Sequence, residues 1–170
     1  EDPPGVAVWT ITDWGEGMDR AIIERRLTRL FSSAKGDDRT KIGKFGIGFV
    51  SVFAIQPAAV IVDTARAGEA WRVIFRADTR YELRRLEEAV EGTTIRVLKP
   101  LRRAAHAALA ARARQVIAFW CRHCEGEIRV DGVDVGEPLD VAVALKIRER
   151  SEHAEIVVGH ASDGSTFFGL

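Results

Sequence analysis

The chain has 170 residues, 46% of them hydrophobic and 29% charged, which suits a globular domain with a core of its own. Lysine plus arginine equals aspartate plus glutamate at 25 each, so no excess of charge points to nucleic acid or an acidic membrane as partner. No apolar stretch is long enough to span a membrane and no basic-then-apolar leader opens the chain, so the cytoplasm is the default compartment.

Turn material at Pro3-Pro4-Gly5 gives way to an apolar run, residues 6–12, that predicts a strand. Residues 19–31 predict a helix: Asp19 is placed to cap it, and Ile22, Ile23, Leu27, Leu30 and Phe31 share one face. Residues 32–43 are polar and predict a loop. Residues 46–54 predict a short buried helix that ends before Pro57. Two strands, 59–63 and 71–75, flank a hairpin turn at Ala67-Gly68-Glu69. Residues 81–86 fit either strand or helix, and 93–98 form a strand opened by Gly92.

An alanine-rich helix is predicted over 101–124, with Leu109, Ala113, Val116, Ile117 and Trp120 on one side. Asp131-Gly132 turns a further hairpin within 127–135. Past Glu137-Pro138, short strands are expected at 141–147, 155–158 and 166–168. The order predicts an α+β fold: a two-layer sandwich with a mostly antiparallel, mixed sheet and helices on one face.

Two glycine-rich segments carry the chemistry. In Asp13-Trp14-Gly15-Glu16-Gly17-Met18, a carboxylate at a strand end can accept a hydrogen bond from an exocyclic amine such as adenine N6. Gly15 and Gly17 clear the approach, and Met18 offers a polarizable wall for a ring. Alone, this pattern also fits a calcium loop or a plain turn. In Gly43-Lys44-Phe45-Gly46-Ile47-Gly48-Phe49, open backbone amides precede an apolar helix, an arrangement that suits phosphate. The spacing is not the dinucleotide fingerprint, and no Walker-type Gly-Lys-Ser/Thr occurs. Cys121-Arg122-His123-Cys124 reads as a helix-end turn, with half a zinc site or a redox pair as the sharper alternatives.

Together, Ile11-Thr12-Asp13-x-Gly15-x-Gly17-Met18, then Ile42-Gly43-Lys44-Phe45-Gly46-Ile47-Gly48-Phe49-x-Ser51-x-Phe53, then Gly92-Thr93 resemble the ATP-binding domain of the heat-shock protein 90 chaperones. That family belongs to the GHKL superfamily with DNA gyrase B, MutL and sensor histidine kinases, whose shared architecture is the Bergerat fold. The likeness runs over residues 6–135, and the phenylalanine-flanked box points to the chaperone branch. It implies ATP or ADP as ligand, with magnesium in the complete parent protein. Asp13 would bind the adenine amine, Gly15, Gly17 and Met18 would line the base, and Thr93 would share the water network around it. Gly46, Ile47, Gly48 and Phe49 would offer amides to the phosphates. Ser33 would sit at the ribose–phosphate edge, and Lys44 stands where the family has glutamine.

By the same resemblance, residues 1–137 would be the ATP-binding domain and 138–170 the start of a middle domain. The lid segment is short, and Arg26 stands where the family has an asparagine facing the ribose. The family carries its water-activating glutamate and magnesium-binding asparagine on a helix before the first strand, and that helix is not in these residues. The chain is therefore expected to be truncated at its start, to assign no catalytic or metal-ligating residue of its own, to bind nucleotide weakly and to hydrolyse it barely. Client proteins and a homodimeric parent would be the partners, with nucleic acid and membrane disfavoured. Two other readings stay open: a non-catalytic nucleotide-sensing or interaction module, and a MutL- or gyrase-like nucleotide-gated DNA-processing ATPase.

Overall fold

A computed structural model of the chain describes residues 4–28, 48–78, 80–88, 90–152 and 154–160. The chain divides into two compact units, Glu1–His106 and Ala107–Leu170.

The first unit is built on a five-stranded sheet in the order β1-β5-β2-β3-β4. Its strands are β1 (Pro4–Asp13), β2 (Ala59–Arg66), β3 (Glu69–Arg76), β4 (Tyr81–Leu86) and β5 (Thr93–Arg102). Every described pairing in it is antiparallel, so the parallel component expected of a mixed sheet is not seen among the described residues. The β2–β3 hairpin turns at Ala67 and Gly68, both with positive φ (54° and 79°), the backbone that matches the twist of a tight hairpin. Residues 81–86, ambiguous in sequence, are a strand because Tyr81 and Leu83 fall opposite Phe75 and Val73 on β3.

Alternation along the strands decides which face is dry. Val60 and Val62 of β2, Trp71, Val73 and Phe75 of β3, and Val97 of β5 are buried on one face together with Ile23. Full burial of each such aliphatic side chain is worth about 1.5–3 kcal/mol. The helical segments cover this same face. Asp19 caps α1 (Arg20–Ile22), its carboxylate accepting the Ile22 N–H at 2.8 Å. The helix then widens into a π-helical turn, Ile23–Leu27. Residues 29–31 of the expected helix lie outside the described residues.

The helix expected over 46–54 is instead a 3₁₀ turn, Val50–Ile55, with no fully buried residue. The turn rests one side on the sheet: Val52 and Phe53, with Phe49 just before it, pack against the core while Ser51, Ala54 and Ile55 face outward. Gln56 ends it in the left-handed region (φ 54°), before Pro57. Edge-to-face and tilted ring contacts link Phe49, Phe53, Phe75 and Tyr81, with centroids 5.3–6.0 Å apart.

On the opposite face Asp63 is a buried carboxylate. Arg72 grips both its oxygens at 2.6 and 2.8 Å, and Arg96 adds a third bond at 2.8 Å. Burial pushes the Asp63 carboxyl up, but the bonds and charges of the two arginines outweigh it and hold it below the usual carboxylate range.

The helix α2 (Arg103–Cys121), most of which belongs to the second unit, stops three residues short of the expected end, where the Cys124 N–H meets the Cys121 carbonyl at 3.0 Å. None of its residues is fully buried; on the apolar side read from sequence Leu109, Ala113 and Ile117 are half-buried, whereas Val116 and Trp120 are exposed. A hairpin follows, β6 (Arg129–Val130) and β7 (Val133–Asp134), turned at Asp131-Gly132 as expected. A second hairpin pairs β8 (Lys146–Arg150) with β9 (Glu155–Gly159). The strand expected at 141–147 is thus displaced toward the C-terminus, beginning at Lys146, whose ammonium donates to the Asp140 carboxylate and the Val141 carbonyl. Residues 166–168 lie outside the described residues.

Candidate functional site

The glycine loop after β1 is where the sheet, α1 and the β5 start converge. Asp13, the last residue of β1, is the register partner of Thr93, the first residue of β5, and Thr93 in turn faces Thr64 of β2. Register partners present their side chains on the same face, so Asp13, Thr93 and Thr64 form one row across β1, β5 and β2 on the helix-bearing side.

Asp13 first organises its own loop. Its Oδ1 accepts the Gly15 N–H at 2.9 Å, an Asx turn that bends the chain off the strand. Oδ2 has no partner among the described residues, and the side chain is exposed, so a second donor can be accepted there. Gly17 (φ +65°) then passes so close to β2 that a Cβ would stand 1.9 Å from the Ala65 carbonyl oxygen. Gly92 (φ +61°) approaches from the other side, where a Cβ would stand 2.0 Å from the Asp13 carbonyl oxygen. Both positions demand glycine twice over, by backbone conformation and by space.

Met18 closes the loop. Its N–H donates to Thr64 Oγ1 at 2.9 Å, and its side chain packs against the core. Thr64 is fully buried, and its hydroxyl also lies 3.0 Å from Thr93 Oγ1 and 3.3 Å from the Gly92 carbonyl oxygen. Thr64 lies one residue past the strand expected at 59–63, and its burial follows from β2 running on to Arg66. The available signal was alternation: Val60, Val62 and Thr64 share one face of β2, so a threonine hydroxyl falls in register with two buried valines.

Of the residues expected at a phosphate, Gly48 and Phe49 are described; Ser33, Lys44, Gly46 and Ile47 lie outside the described residues. Among the described residues a Cβ at Gly48 would meet nothing within 4 Å. The Phe49 ring meets Phe75 in a tilted contact with centroids 5.3 Å apart and moors this end of the box to the sheet. Trp14 is 75% exposed, whereas Trp9 packs on the core.

The acceptors at Asp13 and Thr93 can take a hydrogen bond from an exocyclic amine on a ring: a carboxylate oxygen without a partner among the described residues and a hydroxyl in the same row, with Met18 packed against the core. Among the described residues, no group of three or more His, Cys, Asp or Glu stands together as a metal site. Cys121 and Cys124 are both free thiols, and burial followed by the neighbouring Cys124 pushes the Cys121 thiol up. That favours the protonated thiol, the opposite of a reactive pair. A cavity of about 610 Å³ adjoins Asp63, but its wall mixes arginines and acids and offers no single charge to a ligand.

The chain is similar to the chaperone protein HtpG of Anaplasma phagocytophilum, 39% identical over 100 residues that make up 51% of this chain and 16% of that protein. It is 32% identical to the chaperone protein HtpG of Rhodospirillum rubrum over 162 residues, 84% of this chain and 25% of that protein. For HtpG of Chromobacterium violaceum the figures are 34% over 99 residues, 51% and 16%. The chain thus spans between about a sixth and a quarter of the length of these relatives. No family model matches it. Half the chain or more is related in sequence to bacterial chaperones of this name. Among the described residues no helix is long and apolar enough to cross a membrane.

Proposed function

We propose that the first compact unit is the nucleotide-binding part of a chaperone of the heat-shock protein 90 type, taking ATP or ADP by its adenine end at Asp13 and Thr93. The observation that carries this reading is the row of Asp13, Thr93 and Thr64 across three strands, with the Gly15–Met18 loop fixed beside it. Asp13 Oδ2 accepts from the exocyclic amine, Thr93 bonds the base edge directly or through water, and Met18 supplies an apolar wall. Gly48 and Phe49, with Ser33, Lys44, Gly46 and Ile47, belong to the phosphate end of the same reading. Similarity to HtpG chaperones supports the family, and the phenylalanine-flanked box favours it over the DNA-processing relatives.

In the whole parent protein the bound nucleotide supplies the free energy of phosphoryl transfer, with magnesium neutralising its phosphates. Turnover, a homodimeric state, client proteins as partners and a cytoplasmic setting are proposals for that parent. So is the assignment of residues 138–170 to a further domain. The test is calorimetric titration of ADP into wild type and Asp13→Asn. The asparagine keeps an oxygen for the Gly15 N–H but turns an amide donor toward the adenine amine, so affinity is expected to fall at least a hundredfold with stability unchanged. Binding indifferent to the substitution would overturn the base contact.

A further inference from the structure

Thr64 has as many hydrogen-bond neighbours as a hydroxyl can serve, and it serves all of them in only one arrangement. It is fully buried, and within reach of Oγ1 stand the Met18 N–H at 2.9 Å, Thr93 Oγ1 at 3.0 Å and the Gly92 carbonyl oxygen at 3.3 Å. A threonine hydroxyl has one proton to give and two lone pairs to fill. The Met18 N–H fills one lone pair in every arrangement, because an amide can only donate.

Two proton arrangements remain. In the first, Thr64 donates to the Gly92 carbonyl and accepts from Thr93; every capacity of Thr64 is then used, and Thr93 presents only lone pairs outward. In the second, Thr64 donates to Thr93, whose own proton is released to donate outward. Gly92 loses a 3.3 Å bond but keeps the Ala65 N–H at 3.4 Å. The first arrangement satisfies one more buried group and dominates when nothing is bound.

We propose that Thr64 is a positioning residue that sets the hydrogen-bond polarity of Thr93, making Thr93 an acceptor toward the base edge and so favouring a purine that presents donors there. This rests on the reading of Asp13 and Thr93 as the base site. Thr64 touches no ligand itself; it acts by holding the Thr93 proton inward and the Met18 amide in place. Asp13 and Thr93 then select for the same chemistry, an amine or a water that donates, and against a carbonyl at the same position.

The experiment compares ADP with inosine diphosphate, whose base carries a carbonyl in place of the amine, by titration into the 170-residue chain. Wild type, Thr64→Val, Thr64→Ser and Asp13→Asn are measured, each checked for cooperative thermal unfolding. Thr64→Val keeps the shape and removes the hydroxyl; it is expected to weaken ADP about tenfold and to lower the ADP-to-inosine-diphosphate preference by a similar factor. Thr64→Ser restores the hydroxyl and should recover both within about threefold. General loosening of the site would weaken the two nucleotides alike and leave the preference where it was; that outcome, or failure of the serine to restore it, overturns the positioning role. Wild type that binds ADP in an Asp13-dependent way while Thr64→Val behaves as wild type overturns the Thr64 role alone. Wild type that ignores ADP, or binds it regardless of Asp13, overturns the base-site reading and the Thr64 role with it.

Discussion

Gly92 lies against Asp13 so closely that a Cβ would stand 2.0 Å from the Asp13 carbonyl oxygen and 2.8 Å from Trp14 Cα. The strand that opens at Gly92-Thr93 and the strand that ends at Asp13 are therefore locked backbone to backbone, at the point where the loop departs. Gly92→Ala is expected to cost about 1–3 kcal/mol in backbone strain alone, and to push the Asp13 loop outward. Gly68, also at positive φ (79°) but where an added Cβ would meet nothing within 4 Å among the described residues, supplies the comparison. Urea unfolding should show both alanine variants destabilised and Gly92→Ala the more so. ADP titration should show only Gly92→Ala impaired.

This locking explains how much of the site was legible in the sequence. Glycine at 15, 17 and 92 and the carboxylate at 13 are visible because their residue types are constrained by conformation and chemistry, which leave few substitutes. Asp19 as a cap and Asp131-Gly132 as a turn are visible for the same local reason. Thr64 and Asp63 were not, because what distinguishes them is register: a neighbour on β5 or β3 is set by pairing across some thirty residues or by a hairpin, not by adjacent sequence. The π turn at Ile23–Leu27 escaped likewise, since apolar spacing does not separate 3.6 residues per turn from a locally wider coil. The apolar side of α2 was read correctly as a pattern, but pattern alone does not say that it is covered.

Asp63 gives a stability prediction with a defined sign. Its folded carboxyl lies below the ordinary range, because the Arg72 and Arg96 bonds overcome burial. The ion cluster thus contributes fully above the unfolded value of about 4, and the contribution is lost as pH falls through the folded value. Asp63→Asn should cost about 1–3 kcal/mol at neutral pH, less than a wholly buried pair because both arginines reach solvent. Denaturant unfolding between pH 6 and pH 2 is the check. The gap between wild type and variant should close only on the acid side; a gap that is constant with pH would mean the asparagine acts by shape.

Phe49 separates mooring from binding. Its ring contacts Phe53 and Phe75, and Gly48 precedes it in the backbone proposed to face phosphate. Phe49→Ala should cost about 1–3 kcal/mol, below the value for a fully buried ring, since Phe49 is only half-buried. It should also weaken ADP more than adenosine, because the phosphate end loses its anchor while Asp13 and Thr93 stay in place. Parallel titrations of the two ligands decide this, and equal loss for both would mean the box does not act on phosphate.

The Cys121–Cys124 pair yields a reactivity prediction that also tests the sharper readings of this motif. Burial first, then the charge and hydrogen bond of Cys124, raise the Cys121 thiol above its ordinary value. A raised thiol stabilises the folded chain below the unfolded value of about 8.5, and that contribution is lost as pH rises through the folded value. Since the thiolate is the nucleophile, alkylation of Cys121 by iodoacetamide should be slow at pH 7 and rise about tenfold per pH unit. Exposed Cys124 should react first, and its removal should speed Cys121, because part of the upward push comes from it. Timed alkylation followed by peptide mass spectrometry, on wild type and Cys124→Ala, reads both rates. Cys121 reacting faster than Cys124 at neutral pH would instead mark an activated thiol and return the redox pair to consideration.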